Sequence, residues 1–243
     1  MAGLIAILGD IHANIDALDA VLEDCRREGV ESYICTGDVV GYNAAPRECM
    51  DIVRGLGCPV VKGNHDHYVS ADLDLSDFHP NAAAVVEWTR GQLSEGELEW
   101  LRQLPFTVKR AGIGVVHATW DNPEGFGYVF DHLQAESSFI CQPTPLCFYG
   151  HTHCPMIYEK QMGGVFRIDA QDFHLPIGRK YFINVGSVGQ PRDGDPRASY
   201  VVYDPARRMV RFRRLEYDVA AAQARIRAAG LPERLAERLE CGQ

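Results

Sequence analysis

The first apolar run of the chain, Leu4-Ile5-Ala6-Ile7-Leu8, has no polar interruption, which is the pattern of a strand buried on both faces. It stops at Gly9-Asp10, and the period then changes. Over 14–28, Leu18, Val21, Leu22 and Cys25 share one helical face, Asp19, Glu23, Arg26 and Arg27 lie elsewhere, and Gly29 supplies the stop. The alternation repeats with a strand over 32–36, the pair Gly37-Asp38 and a helix over 46–56. A third strand over 59–61 runs into Gly63-Asn64-His65-Asp66. Strand, polar turn, helix, strand is the arrangement of parallel βαβ units. Ligands of such sheets collect at the carboxyl ends of the strands, and all three polar turns fall there.

The stretch 78–104 reads as helical, with Ser94 and Glu97 spaced as a capping box and Trp88 and Trp100 as packing anchors. Beyond it the pattern is mainly of strands: 106–110, 114–117, 146–149, 156–160, 165–168, 181–185, 199–203 and 209–214. Gly163-Gly164 marks one hairpin turn and 204–207 another. The end, 219–241, is helical and rich in Ala and Arg, with its arginines expected on a solvated face. No linker, low-complexity tract or long repeat interrupts the chain. The expected organisation is one α/β domain over 1–243, with a cap-like helical insertion around 78–104 and a helical tail around 219–241.

Composition narrows the setting. Hydrophobic residues make up 46% and charged residues 23%, ordinary values for a globular domain with a real core. No apolar run reaches the ~20 residues that span a bilayer, and the start lacks a signal-peptide pattern, so no membrane is expected and the expected compartment is the cytoplasm. The eight cysteines are scattered without a Cys-x-x-Cys pair and read as reduced, mostly buried small hydrophobes. A formal net charge of −9 disfavours nucleic acid as a partner, and no basic–aromatic strip points to a nuclease. An acidic protein that binds an anionic phosphate ester needs local positive charge, which metal ions could supply.

Five motifs carry chemistry: Gly9-Asp10-Ile11-His12, Gly37-Asp38, Gly63-Asn64-His65-Asp66, His117-Ala118 and Gly150-His151-Thr152-His153. Each follows a strand-like run. Asp10 and His12, like His151 and His153, are two residues apart, and in extended backbone that spacing points both side chains the same way. Singly each motif is ordinary: a Gly-Asp is most often a turn, and an isolated histidine a surface or hydrogen-bonded core residue. Jointly they place carboxylates, imidazoles and an asparagine at strand ends of one expected sheet. So many such groups converging is hard to reconcile with anything but a metal. The nitrogen–oxygen set without thiolate suits Mn, Fe, Zn, Ni or Co better than Mg or Ca.

The ordered set GDIH, GD, GNHD, His117 and GHTH resembles the calcineurin-like metallophosphoesterase superfamily. The segment 184–192, Asn-Val-Gly-Ser-Val-Gly-Gln-Pro-Arg, is similar to one found in its small bacterial phosphodiesterase and phosphatase branch. The resemblance implies an α/β fold of two mixed β-sheets packed as a sandwich flanked by helices, in four layers. It implies two divalent metal ions, one held by Asp10, His12 and His153 and the other by Asn64, His117 and His151, with Asp38 bridging. A hydroxide between the ions would attack phosphorus in line. His65 would serve as general acid, with Asp66 orienting it and favouring its protonated form; Asp66 could equally cap a helix.

One departure stands out. Protein serine/threonine phosphatases usually follow the second Gly-Asp with Asp-Arg-Gly, whose arginine grips phosphate; here the text is Val39-Val40-Gly41-Tyr42-Asn43. Tyr42 and Asn43 are candidate substrate contacts or simply turn residues, and Arg192 is a candidate phosphate contact or a structural ion pair. His67, His79 and His174 lie outside the motifs and read as surface or supporting residues. The expected activity is dinuclear-metal-dependent hydrolysis of a small-molecule phosphate ester or nucleotide, as phosphodiesterase or phosphatase. The alternatives are a dinucleoside polyphosphate (diadenosine tetraphosphate) hydrolase, a serine/threonine protein phosphatase, and a metal-bound protein-interaction scaffold. A complete ligand set with His65 intact argues against the scaffold, which would be free to lose them.

Overall fold

In β1 (Leu4–Leu8) successive side chains point to opposite faces, and both faces are covered. Ile7 enters a core that it shares with Val115, Phe148, Ile183 and Val201, whereas Ala6 and Leu8 face Leu18, Val21 and Met50. The structure, a computed structural model, describes residues 3–71, 73–76 and 79–243.

Along the chain, β1 is followed by α1 (Ile15–Glu28), β2 (Val30–Cys35), α2 (Pro46–Gly55), α3 (Asn64–Ser70), α4 (Pro80–Gln92) and α5 (Glu95–Gln103). Then come β3 (Thr107–Arg110), β4 (Ile113–Val116), α6 (His132–Cys141), β5 (Leu146–Tyr149), β6 (Met156–Gln161), β7 (Gly164–Asp169), β8 (Phe173–His174), β9 (Lys180–Asn184), β10 (Ala198–Asp204) and β11 (Met209–Leu215). Helices α7 (Val219–Ala228) and α8 (Glu233–Cys241) close the chain.

The strands form two mixed sheets, in the orders β2-β1-β10-β11-β8 and β3-β4-β5-β9-β6-β7. Within them β1–β2, β4–β5 and β5–β9 run parallel, and the other pairs antiparallel. Alternation assigns each strand's residues to a layer. In β10, Val201 faces the second sheet while Tyr200 and Val202 face the helices; in β5, Phe148 faces the first sheet while Cys147 and Tyr149 meet Ala135 and Phe139 of α6. Helices, sheet, sheet and helix therefore stack as four layers, which is why so many strands read as apolar throughout.

Helix α1 begins where Asn14 Oδ1 accepts the Ala17 N–H (3.1 Å) and ends at Gly29 in the left-handed region. The Glu97 carboxylate accepts the Ser94 N–H at the start of α5 (2.6 Å), as the capping-box spacing predicts. Trp88 packs among α4, α7 and α8, and Trp100 lies under Arg54, whose guanidinium carbon is 5.8 Å from its ring centre.

The structure differs from the sequence expectation at several points. The third strand, 59–61, is reduced to one bridge between Val60 and Cys35, because Pro59 has no N–H to give and the Lys62 N–H turns to the Pro105 carbonyl (2.8 Å). Helix α6 was not expected: Leu133 and Ile140 are exposed and blur its apolar stripe, although Asp131 and Gln134 form a capping box. The tail is two helices, broken where Gly230 adopts φ +70° ahead of Pro232. Of the helical stretch expected over 78–104, residue 78 lies outside the described residues.

Candidate metal centre

The chemistry-bearing residues gather where strands of both sheets end, and not at one sheet as the sequence pattern suggested. Asp10 and His12 follow β1, and Asp38 follows β2. Asn64 opens α3, His117 follows β4, and His151 and His153 follow β5. The loops are zipped by backbone hydrogen bonds: Asp10 N to Gly37 O (3.0 Å), His12 N to Asp38 O (2.9 Å) and Gly150 N to His117 O (2.9 Å). The last bond ties the ends of β4 and β5. The two sheets are joined by Asp10, whose carboxylate accepts the His151 N–H (3.1 Å to each oxygen).

These backbones are not extended. Asp10, His12, Asp38, His151 and His153 have φ of +50°, +48°, +53°, +67° and +59°. They make up half of the ten non-glycine residues at positive φ among the described residues. Each such conformation costs on the order of 1 kcal/mol or more, and strain of this kind concentrates where a fold must hold functional groups in place. Gly150 is required beside them, since a Cβ there would collide with the Asp10 carboxylate.

The side chains form two sets that share one residue. Asp10, His12, Asp38 and His153 bring ligand atoms within 4.8 Å of one another, as do Asp38, His117 and His151. Asp38 Oδ2 lies 3.5 Å from His12 Nε2 and 3.4 Å from His117 Nε2, between the two sets. Its other oxygen is engaged by the His65 N–H (2.8 Å), which fixes the carboxylate's orientation. Asn64 Oδ1 joins the second set at 3.2 Å from His117 Nε2. Every one of these seven side chains is buried.

The donor chemistry fits a cation. Nδ1 of His12, His117 and His153 each faces a backbone carbonyl, those of Val40 (3.1 Å), Thr36 (2.8 Å) and Gln190 (2.5 Å). A carbonyl only accepts, so Nδ1 carries a proton in all three, and in the neutral rings of His12 and His153 Nε2 presents a lone pair inward. Burial drives His12 and His153 well below the usual histidine range, so neither readily takes a second proton. Their lone pairs nonetheless face each other across 3.0 Å. At His117 burial is overridden by the Asp38 charge, and the pKa rises to about 9. Burial pushes Asp10 up to about 8, with the Asp38 charge adding to the rise. Two carboxylates and opposed imidazole lone pairs in a dry site are the environment that a divalent ion neutralises.

His65 is buried, with its ring centre 4.9 Å from that of His12 and 4.2 Å from that of Tyr42, and its Nδ1 has no hydrogen-bond partner. Burial holds it near pKa 4, against the pull of the Asp38 charge. The expected contact with Asp66 is absent. The Asp66 carboxylate is already taken by the backbone N–H groups of Asp38 (2.8 Å), Val39 (2.9 Å), Val40 (3.3 Å) and Gly63 (3.0 Å). Asp66 thus clamps the Asp38 loop onto the first turn of α3 and does not orient His65. Gly41, at φ +98°, leaves room for the His65 ring where any Cβ would strike it.

Asn43 is buried as well, and its amide donates to the His12 carbonyl (2.8 Å), which supports the His12 loop. Arg192 makes no ion pair among the described residues. Its guanidinium donates to Gln190 Oε1 (2.8 and 3.3 Å) and lies 5.3 Å from the Tyr42 ring centre. Its positive charge lowers the pKa of His12, His65 and His153. The segment 184–192 braces the motif loops: Asn184 Nδ2 donates to Gly150 O (2.6 Å) and Ser187 Oγ to Asp10 O (2.7 Å). Two aromatic neighbours were missed. Tyr128 stacks on His151 with ring centres 4.1 Å apart, and Phe126 stands 6.0 Å from His117. The alternating Gly125-Phe126-Gly127-Tyr128 downstream of His117 is the only sequence signal for them. His67 rests against Phe106 and Phe126, His79 caps α4, and His174 is exposed in β8.

A two-sheet sandwich with these imidazoles and carboxylates at its strand ends defines a metal-binding α/β protein. Residues 4–208 match the model of the calcineurin-like phosphoesterase superfamily domain. An uncharacterized protein of Methanocaldococcus jannaschii is 36% identical over 99% of this chain and 98% of its own. The crystal structure of a metallophosphoesterase from Sphaerobacter thermophilus superposes with a TM-score of 0.89 at 40% identity, covering 100% of both chains. A hypothetical protein from Pyrococcus horikoshii shares the fold, with a TM-score of 0.80 at 23% identity over 99% of this chain and 98% of that one. The chain belongs to the calcineurin-like phosphoesterase superfamily. Among the described residues no helix is long and apolar enough to cross a membrane.

Proposed function

We propose that the chain hydrolyses small-molecule phosphate esters or nucleotides with two divalent cations. The observation that carries this reading is the position of Asp38 Oδ2, shared between the His12 and His117 sides of one buried site. Asp10, His12 and His153 would hold one ion, and Asn64, His117 and His151 the other, with Asp38 common to both; Mn, Fe, Zn, Ni and Co suit the donor set. When bound, such a pair of ions neutralises phosphoryl oxygens and makes a water molecule nucleophilic at neutral pH.

The remaining chemistry falls to the chain. Arg192, without a carboxylate partner at the mouth, offers its free N–H groups to a phosphoryl oxygen. His65, whose Nδ1 lacks a partner, donates a proton to the departing oxygen. A bound phosphate favours the protonated ring that burial alone disfavours. Helices α4 and α5, with α7 and α8, act as a rim for the site within a single domain. The absence of an arginine after Asp38 favours small molecules over phosphoproteins. Metal-reconstituted protein is to be assayed on monoesters, diesters, cyclic nucleotides, dinucleoside polyphosphates and phosphopeptides. Metal-dependent turnover of small-molecule substrates is expected, and a higher kcat/KM for the phosphopeptides would overturn the specificity reading.

A further inference from the structure

Most arginines of this chain are neutralised: Arg213 by Asp24, Arg225 by Asp16 and Arg227 by Glu233, for example. Arg192, Arg234 and Arg238 differ. None has an Asp or Glu partner among the described residues, although α8 itself carries Glu233, Glu237 and Glu240. The sequence pattern placed the arginines of the tail on a solvated face; Arg225, Arg227 and Arg234 are exposed as expected, whereas Arg238 is half-buried, and Arg234 and Arg238 border a cavity of about 290 Å³ with Tyr42, His79, Asn81 and Val85.

That cavity adjoins the metal centre. Tyr42 forms the shared wall: its ring is 4.2 Å from His65 and 4.5 Å from His12 by ring centres, and it carries Arg192 above it. The residue is held at φ +58° in this position. Arg234 and Arg238 are four residues apart and so share one face of α8. The adjoining face, Leu235, Ala236 and Leu239, is buried against Val85 of α4 and Ile226 of α7, which anchors the helix, and Leu235 also lines the cavity. Arg238 spends only its Nε on the Gln243 carbonyl (2.8 Å). Burial lowers its pKa, and the positive charges of Arg192 and Arg234 lower it further. Unpaired guanidiniums converging in a protein of net charge −9 are an arrangement that an anion would stabilise.

We propose that the space between α4 and α8 is a second anion subsite, which takes the distal phosphates of a substrate whose scissile phosphate lies at the metal centre. The preferred substrates are then polyphosphate-bearing esters or anhydrides, with isolated monoesters bound more weakly. The proposal rests on the phosphoesterase reading for the identity of the scissile group. The occupancy of the cavity by a polyanion can be measured without catalysis.

The test is the double variant R234Q/R238Q of the full chain, checked for an unchanged circular dichroism spectrum. Calorimetric titration with inorganic tripolyphosphate, after removal of metal by chelator, should show binding to the wild type weakened about tenfold or more in the variant. Orthophosphate should bind weakly and equally to both. With manganese-loaded protein, KM for diadenosine tetraphosphate should rise about tenfold in the variant relative to KM for bis(p-nitrophenyl) phosphate. If no ester is turned over but tripolyphosphate binding still depends on the two arginines, the phosphoesterase reading fails and the subsite stands. If bis(p-nitrophenyl) phosphate is hydrolysed while the variant binds tripolyphosphate as the wild type does, the subsite is overturned and the phosphoesterase reading stands.

Discussion

His12 and His153 approach each other through Nε2 at 3.0 Å while both Nδ1 atoms face backbone carbonyls, so two lone pairs point at the same small volume. A cation resolves that opposition, and losing one ring should remove its anchor. His153→Ala is expected to reduce the bound divalent metal to about one ion per chain, because the His117 side keeps its own ligands. Retention of two ions would show that His153 is not a ligand.

Asp38 predicts a different outcome, since its Oδ2 faces both sets. Asp38→Asn preserves shape and the hydrogen bond from the His65 N–H but removes the shared charge. Both metals should weaken together in a chelator competition, and hydrolysis should fall by at least about 10²-fold. Selective loss of a single ion would place Asp38 on one site alone.

His65→Asn tests the proton transfer. Metal content should be retained, because His65 belongs to neither of the two clusters that could hold an ion. Rates with alkoxide leaving groups should fall about 10²–10⁴-fold, and rates with nitrophenolate much less, so that the dependence on leaving-group pKa steepens. Loss of metal would make His65 a ligand. An equal fall for every leaving group would give it an electrostatic role only.

Stability at low pH should track Asp24, far from the site. Its carboxylate accepts from Tyr200 Oη (2.7 Å) and from Arg213 Nε and Nη2 (3.0 and 2.9 Å), tying α1 to β10 and β11. Burial opposes the charged form, but the Arg213 and Tyr200 hydrogen bonds outweigh it and the pKa is lowered. The contribution is therefore complete above the ordinary carboxylate pKa of about 3.9 and is lost as pH falls through the lower folded value. Asp24→Asn should cost about 1–3 kcal/mol at pH 7, toward the low end because the Arg213 side chain is 32% exposed. The difference from wild type should shrink in denaturant titrations carried out below pH 4. A difference that grows on acidification would reverse the sign of the argument.

The sequence pattern carried the layered fold because strands covered on both sides are apolar throughout, and β1, β4 and β5 all are. It was weakest where a local feature overrode the pattern: Pro59 cut the third strand to a bridge, and exposed Leu133 and Ile140 hid α6. At the site, spacing brought forward residues that the structure gathers in one place but misread their backbone, because left-handed φ at Asp10, His12, His151 and His153 has no signature in non-glycine residues. The partner of Asp66 was equally invisible, since it consists of main-chain N–H groups from a loop about 27 residues away. Arg238 looks like a solvated helix charge until the packing of α8 beside Tyr42 is known.

The central claim is that one buried site holds two divalent ions and uses them to cleave phosphate esters. Its most direct test is elemental analysis of chelator-free protein titrated with Mn²⁺, with bis(p-nitrophenyl) phosphate hydrolysis followed on the same samples. Activity should rise with metal content and level off at two ions per chain. A plateau of activity at one ion, or none at any loading with Mn²⁺, Zn²⁺, Fe²⁺, Co²⁺ or Ni²⁺, would contradict the claim.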